Sequence, residues 1–194
     1  MDSWKEFDQN PVSHSVAHHL VSILELLEEY GYARVSDVAR SLEITRGSAS
    51  ITLKNLKARG LVTEDERRFL GLSDEGLHIA RSIVAKKRIM KSLFIDLLGV
   101  DEEQADIDTC KIEHLLSDAT ATRAARLLRF LDSGHASVAP FQTELHRFDP
   151  TCSGRPEDCP SCEDTCLVEE LDTVEGSPAD ASRVDPSPAE PKSE

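Results

Sequence analysis

A mainly α-helical fold with one short β-hairpin is predicted, on three observations. Apolar residues recur at three- and four-residue intervals through most of the first 132 positions. One ten-residue stretch interrupts them with two short apolar runs around the charged turn EDERR. The end of the chain is acidic and punctuated by Pro178, Pro186, Pro188 and Pro191, with no aromatic residue. That last segment cannot bury enough apolar surface to offset the entropy of ordering, so disorder is expected from residue 172.

The elements follow in order. Val16, Leu20, Ile23, Leu24 and Leu27 form one helical stripe after Pro11 and Ser13, and Gly31 stops it. A short helix comes next, with Val38, Ala39 and Leu42 inward. The Thr45-Arg46-Gly47-Ser48 break then caps a helix running to about Ala58, with Gly60 in the left-handed position beyond it. Leu61-Val62-Thr63 and Phe69-Leu70-Gly71-Leu72 read as the two strands of the hairpin. Ser73 caps a long helix whose apolar positions are Ala80, Ile83, Met90, Phe94 and Leu97, with Gly99 as its stop. At about 24 residues it would span roughly 36 Å, long enough to connect to a second helical unit. Two more helices are expected, over 101–115 and 118–132, the second capped by Ser117 or Asp118.

The chain has 194 residues and a formal charge of −14. That charge is unevenly spread: residues 1–131 carry 18 basic and 21 acidic side chains, residues 132–194 carry 4 and 15. The acidity therefore belongs to the end of the chain and says little about what the folded part binds. No run of 18 apolar residues is present, so no membrane partner is expected. MDSWKEFDQN lacks the apolar core of a signal peptide, which points to a cytoplasmic location. Five cysteines in such a compartment suggest metal or redox chemistry rather than a disulfide scaffold.

Three helices and then a hairpin describe a winged helix-turn-helix, with the hairpin as wing. From Thr45 to Gly60 the basic residues Arg46, Lys54, Lys57 and Arg59 occur with no acid, a local +4. Thr45, Ser48, Ser50, Thr52 and Asn55 interleave with them. Such side chains reach phosphates and base edges from a helix laid in the major groove, and Arg67 and Arg68 at the hairpin tip would touch the backbone or minor groove. Double-stranded DNA is the partner this implies. The organisation expected is a DNA-binding domain over 1–76, a helical metal-binding and dimerisation domain over 77–148, a four-cysteine motif over 149–171 and the acidic tail over 172–194.

Cys110-Lys111-Ile112-Glu113-His114 is the sharpest motif. On a helix, positions i, i+3 and i+4 share a face, so Cys110, Glu113 and His114 project together. A thiolate, a carboxylate and an imidazole suit Fe²⁺, Co²⁺, Ni²⁺ or Zn²⁺ better than Mg²⁺ or Ca²⁺. A fourth ligand must come from elsewhere; His14, His18 and His19 lie in the first helix, and His14 and His18 share a face.

Over residues 13–132 the sequence resembles the diphtheria-toxin-repressor and manganese-transport-regulator (DtxR/MntR) family of metal-activated bacterial repressors. DVARSLEITRGSASITLKNLKARGLV matches its helix-turn-helix and LLGVDEEQADIDTCKIEHLLSD its ligand-bearing helix. The resemblance implies a homodimer in which metal binding ties the first helix to the second domain and spaces two recognition helices for a palindromic operator. It puts the primary-site trio on Cys110, Glu113 and His114 and the first-helix ligand on His18. Manganese-type members carry carboxylates where this chain has Cys110 and Val21, which argues for Fe²⁺ over Mn²⁺. The ancillary-site His, Glu and His fall on Lys87, Lys91 and Asp106, where a lysine–aspartate pair is expected in place of a metal. Ile51 stands where iron-type members have a polar base-reading residue, so the operator sequence does not carry over.

Cys152, Cys159, Cys162 and Cys166 form a second thiolate cluster outside the resemblance, and both Zn²⁺ and an iron–sulfur cluster fit it. The expected function is a metal-dependent repressor of metal-homeostasis genes. A redox or iron–sulfur-sensing regulator switched by those cysteines is the second reading. A thiol or metal-dependent enzyme using Cys110 and His114 is a third. No phosphate-binding loop or nucleophile turn supports it, so no catalytic residue is expected.

Overall fold

The structure, a computed structural model, describes residues 12–147. Cys152, Cys159, Cys162 and Cys166 and the acidic segment expected to be disordered lie outside the described residues. The elements are α1 (His14–Tyr30), α2 (Val35–Ser41), α3 (Arg46–Ala58), β1 (Val62–Glu64), β2 (Leu70–Leu72), α4 (Asp74–Ser92), α5 (Glu102–Ile112), α6 (Asp118–Leu131) and α7 (Val138–Arg147). Among the described residues no helix is long and apolar enough to cross a membrane. Contacts divide the chain into Met1–Thr143 and Glu144–Glu194, and every element through α6 belongs to the first unit.

Five helix starts use a side-chain oxygen to accept from a backbone amide left without a partner. The pairs are Ser13 with Val16 (3.4 Å), Thr45 with Ser48 (3.1 Å), Ser73 with Gly76 (3.1 Å), Asp101 with Gln104 (2.9 Å) and Ser117 with Thr120 (3.2 Å). Each such cap contributes about 1 kcal/mol. The apolar stripe of α1, with Leu20, Ile23 and Leu24 buried, packs on Val38 and Ala39 of α2 and Ala49, Leu53 and Leu56 of α3. Leu61, Val62, Leu70 and Ala80 close that core from the hairpin side. It is a winged helix-turn-helix.

The hairpin pairs antiparallel, Val62 with Leu72, Thr63 with Gly71 and Glu64 with Leu70. Its first strand begins one residue later than the sequence suggests. Leu61 is taken up in closing α3, its N–H bonding the Leu56 carbonyl after Gly60 turns left-handed at φ 73°. The Leu61 carbonyl in turn accepts from the Ser73 amide and hydroxyl. This strap brings the start of α4 against the wing. It leaves room only for glycine at position 76, where a Cβ would overlap the Leu61 carbonyl oxygen.

The long connector departs from expectation. α4 stops at Ser92, and Leu93–Leu97 form a π-helical turn in which the Leu98 N–H reaches the Leu93 carbonyl at 3.2 Å. The widened turn lets the chain swing into α5, closed by Val100 N–H to the Phe94 carbonyl at 2.9 Å. The apolar rhythm runs through this turn although the α-helical path does not. α5 is likewise shorter than the expected 101–115, because the Leu115 and Leu116 amides both fold back to the Ile112 carbonyl. The last described helix, α7, has no counterpart in the sequence reading, although Val138 and Phe141 stand three residues apart around Pro140. α4 packs on α1 and also on α5 and α6, so it joins the two halves.

Candidate metal centre and nucleic-acid interface

Because α1 and α5 both lean on α4, residues 92 positions apart in sequence meet. Nε2 of His18 lies 3.3 Å from Sγ of Cys110, a free and half-buried thiol. His14, one turn earlier on α1, stacks edge-on against His18 with ring centroids 4.2 Å apart. The ligand atoms of His14, His18 and Cys110 all fall within 4.8 Å of one another. The sequence reading puts His14 on the same face as His18 but does not choose it; the i, i+4 spacing was the available signal. His19 turns the other way, buried in the core with its Nδ1–H donating to the Ser15 carbonyl at 2.7 Å.

Glu113 and His114 flank this trio. Glu113 caps the C-terminus of α5 and is only 4% exposed, and its Oε2 has no hydrogen-bond partner. It lines a cavity of about 240 Å³ together with His18, Glu25 and Lys87. The His114 ring centroid lies 5.2 Å from that of His14.

Burial is the main influence on His18, Cys110, Glu113 and His114. It lowers the pKa of His18, helped by His14 and then Lys87, and lowers that of His114, helped by His14. Both imidazoles therefore stay neutral, with a lone pair to offer, near neutral pH. Burial pushes the Cys110 thiol up, with Glu113 adding to it. It also pushes the Glu113 carboxyl up, against the pull of Lys87 and with a further push from Glu25. A buried polar oxygen without a hydrogen bond costs about 1–3 kcal/mol, and more when it is charged. A half-buried thiol and two imidazoles from two helices fit a transition-metal cation as a donor set, while the ligand atoms of Glu113 and His114 lie outside that 4.8 Å group.

Where the resemblance puts the ancillary site, Lys91 Nζ lies 2.8 Å from Asp106 and 2.9 Å from Glu102. Asp106 and Glu102 hold the Lys91 ammonium above the usual lysine range, and Lys91 holds Asp106 below the usual carboxylate range. Lys87 instead faces the Glu113 cavity, and Lys86 pairs with Asp118 at 2.7 Å.

On the reading side, Arg46, Ser48, Ser50 and Lys54 are exposed along α3, and Thr52 is half-buried. The Thr45 hydroxyl is engaged in the cap. Between α3 and the hairpin runs a groove of about 710 Å³, lined by Arg34, Arg46, Ser50, Lys54, Arg67 and Arg68. Arg67 and Arg68 stand exposed at the hairpin tip, Arg68 in the left-handed region at φ 66°. Two features lie beyond the sequence reading. Lys57 is ion-paired with Glu64 of the wing, which Arg68 also approaches at 3.5 Å, so the acid-free window meets an acid in space. Arg34, outside that window, sits 4.6 Å above the Phe69 ring and adds a cation to the groove.

A helix-turn-helix reader joined to a helical domain that gathers thiol, imidazole and carboxylate is the architecture of a metal-dependent transcriptional regulator. Residues 73–136 match the family model described as "Iron dependent repressor, metal binding and dimerisation domain". The chain is 30% identical over 118 residues to the HTH-type transcriptional regulator MntR of Lysinibacillus sphaericus, covering 61% of this chain and 84% of that protein. It is 31% identical over 124 residues to MntR of Geobacillus thermodenitrificans, covering 64% and 87%. Among solved structures it is similar to IdeR of T. acidophilum, at 26% identity and a TM-score of 0.51, covering 58% of this chain and 53% of that one. The match thus spans about half the length of that solved structure. The chain belongs to the DtxR/MntR family of metal-dependent transcriptional regulators. Members of this family are regulators and not enzymes, which sets aside the thiol-enzyme reading.

Proposed function

We propose that this chain is a cytoplasmic, Fe²⁺-responsive repressor that binds a palindromic operator as a homodimer. The observation that carries the reading is the 3.3 Å approach of His18 on α1 to Cys110 on α5. His18, Cys110, Glu113 and His114 are the ligands proposed for the primary site. A divalent ion bound there supplies positive charge that offsets the thiolate and the carboxylate and links α1 to the helical domain.

The chain's own groups do the rest. The lowered pKa values of His18 and His114 keep their nitrogens free of protons near neutrality. The raised Cys110 value means that the thiol releases a proton when it becomes a ligand, so occupancy tightens as pH rises. A thiol at 110 and an apolar Val21, where manganese-type members carry carboxylates, remove oxygen ligands that Mn²⁺ favours. That chemistry is the case for iron. The Lys91–Asp106 pair is proposed as the replacement for a second, ancillary metal, with Lys87 supplying a further fixed cation beside Glu113. The tail cysteines Cys152, Cys159, Cys162 and Cys166 are proposed, on spacing alone, as a separate site for zinc or an iron–sulfur cluster.

For DNA, residues 1–76 are proposed as the reader and 77–148 as the dimerising half. Arg46, Ser48, Ser50, Thr52 and Lys54 face the major groove, and Arg67 and Arg68 reach the flanking backbone or minor groove. Ile51, 67% exposed on α3, offers an apolar surface suited to a thymine methyl. The test is anaerobic titration of an operator recovered by selecting random duplexes with the Fe²⁺-loaded chain. Fe²⁺ is expected to tighten binding by roughly 5- to 150-fold, the usual scale of allosteric coupling. Cys110→Ser should abolish that gain. Equal affinity with and without ion, or a larger response to Mn²⁺ than to Fe²⁺, would overturn the proposal.

A further inference from the structure

We infer that His14 is an additional ligand of the metal centre, so that α1 contributes two imidazoles and the site selects borderline transition ions over Mn²⁺. The inference rests on the metal-site reading above and deepens it.

Four observations carry it. His14 and His18 are one helical turn apart, and with Cys110 they form a group of ligand atoms no more than 4.8 Å apart. Metal–nitrogen and metal–sulfur bonds of about 2.1 and 2.3 Å put neighbouring ligands roughly 3.5 Å apart, so small side-chain rotations would close the group. The position of His14 has no packing explanation: it is exposed at the first residue of α1, whereas His19 on the same helix is buried and hydrogen-bonded. Its ring instead lies between His18 and His114, with centroids at 4.2 and 5.2 Å. Finally, Glu113 beside the group is more than nine-tenths buried and keeps a carboxylate oxygen without a hydrogen bond, an unspent donor although Lys87 faces the same cavity.

Two or more imidazoles with a thiolate form a set of nitrogen and sulfur donors. Such a set favours Fe²⁺, Co²⁺ and Zn²⁺, whereas Mn²⁺ favours oxygen. His14 also lies one residue after the Ser13 cap, so its coordination would further fasten the first turn of α1.

Cobalt provides the probe, because its visible bands report coordination number and its thiolate charge-transfer band reports Cys110. The full-length chain would carry Cys152→Ser, Cys159→Ser, Cys162→Ser and Cys166→Ser, leaving Cys110 as its one thiol. Adding His14→Ala should weaken Co²⁺ binding roughly tenfold or more and shift the visible bands, while the thiolate band persists. Mn²⁺ affinity should change far less. Because His14 is exposed, metal-free thermal unfolding should match the parent. Adding Cys110→Ser instead should remove the thiolate band. If it does so while His14→Ala leaves bands and affinity unchanged, His14 is not a ligand and the four-residue site stands. Equal weakening of Mn²⁺ and Co²⁺ would overturn the stated preference. A thiolate band that survives Cys110→Ser would overturn the underlying site and this inference with it.

Discussion

The two halves of this protein are built to different degrees of completion. From α1 to the start of α4, apolar side chains close into one continuous core, and few large ones face outward. After Gly99, the buried apolar residues among those described are the small Ala105 and Ala121 and Val138, alongside the polar Thr109 and Glu113. There Leu115, Leu127, Phe130 and Phe141 are all at least 40% exposed. The apolar core of the reader is finished by its own chain. The second half leaves apolar surface to be covered, as expected of a unit that dimerises.

Three substitutions probe this contrast. The largest effect is expected at Gly76, where the first half is tightest. Gly76→Ala drives a methyl into the Leu61 carbonyl and should lower unfolding free energy by about 3 kcal/mol, read by urea denaturation. A near-neutral result would mean that the strap between wing and α4 is looser than described.

In the second half, Phe130→Ala should act on association rather than on folding. The side chain is 45% exposed, so subunit stability should change by less than about 1 kcal/mol. The dimer dissociation constant, measured by sedimentation, should rise roughly tenfold, as for the loss of an interface anchor. Loss of folding with association intact would reverse the contrast.

The smallest effect belongs to the ion pair on the reader's surface. Lys57 holds the Glu64 carboxyl below the usual glutamate value, outweighing the upward push of burial. A lowered folded-state pKa contributes stability above the ordinary glutamate range and loses it as pH falls through the lowered value. Glu64→Gln should therefore cost about 0.5 kcal/mol at neutral pH, and the gap from the parent should close on acidification. A gap that persists in acid would assign the effect to packing of the side chain.

What the sequence made legible were the features set by local rules. Ser13, Thr45, Ser73 and Ser117 announce helix starts because a cap needs only a hydroxyl three residues ahead of an orphaned amide. Gly31, Gly60 and Gly99 announce stops for the same local reason. The contact between α1 and α5 was reachable only through the family resemblance, since nothing in the spacing links positions 18 and 110. What stayed hidden depended on packing at long range. Which turn of α1 faces α5 decides that His14 joins His18, and the stripe alone does not fix that rotation. The π-helical turn at Leu93–Leu97 keeps an apolar rhythm compatible with a longer helix. Lys91 rather than Lys87 meets Asp106 because of how α4 leans on α5, and Lys57 meets Glu64 because the wing folds back on α3.

The first helix serves two masters at adjacent positions: Leu20, Ile23 and Leu24 are timbers of the reader, while His18, two residues ahead of Leu20, grips the other half. A pull of an ångström on that imidazole cannot be absorbed by a hinge, for none lies between it and the core. Any tug would pass as rigid motion into the core that Leu20, Ile23 and Leu24 share with α3, which makes stiffness, rather than flexibility, the means of transmission.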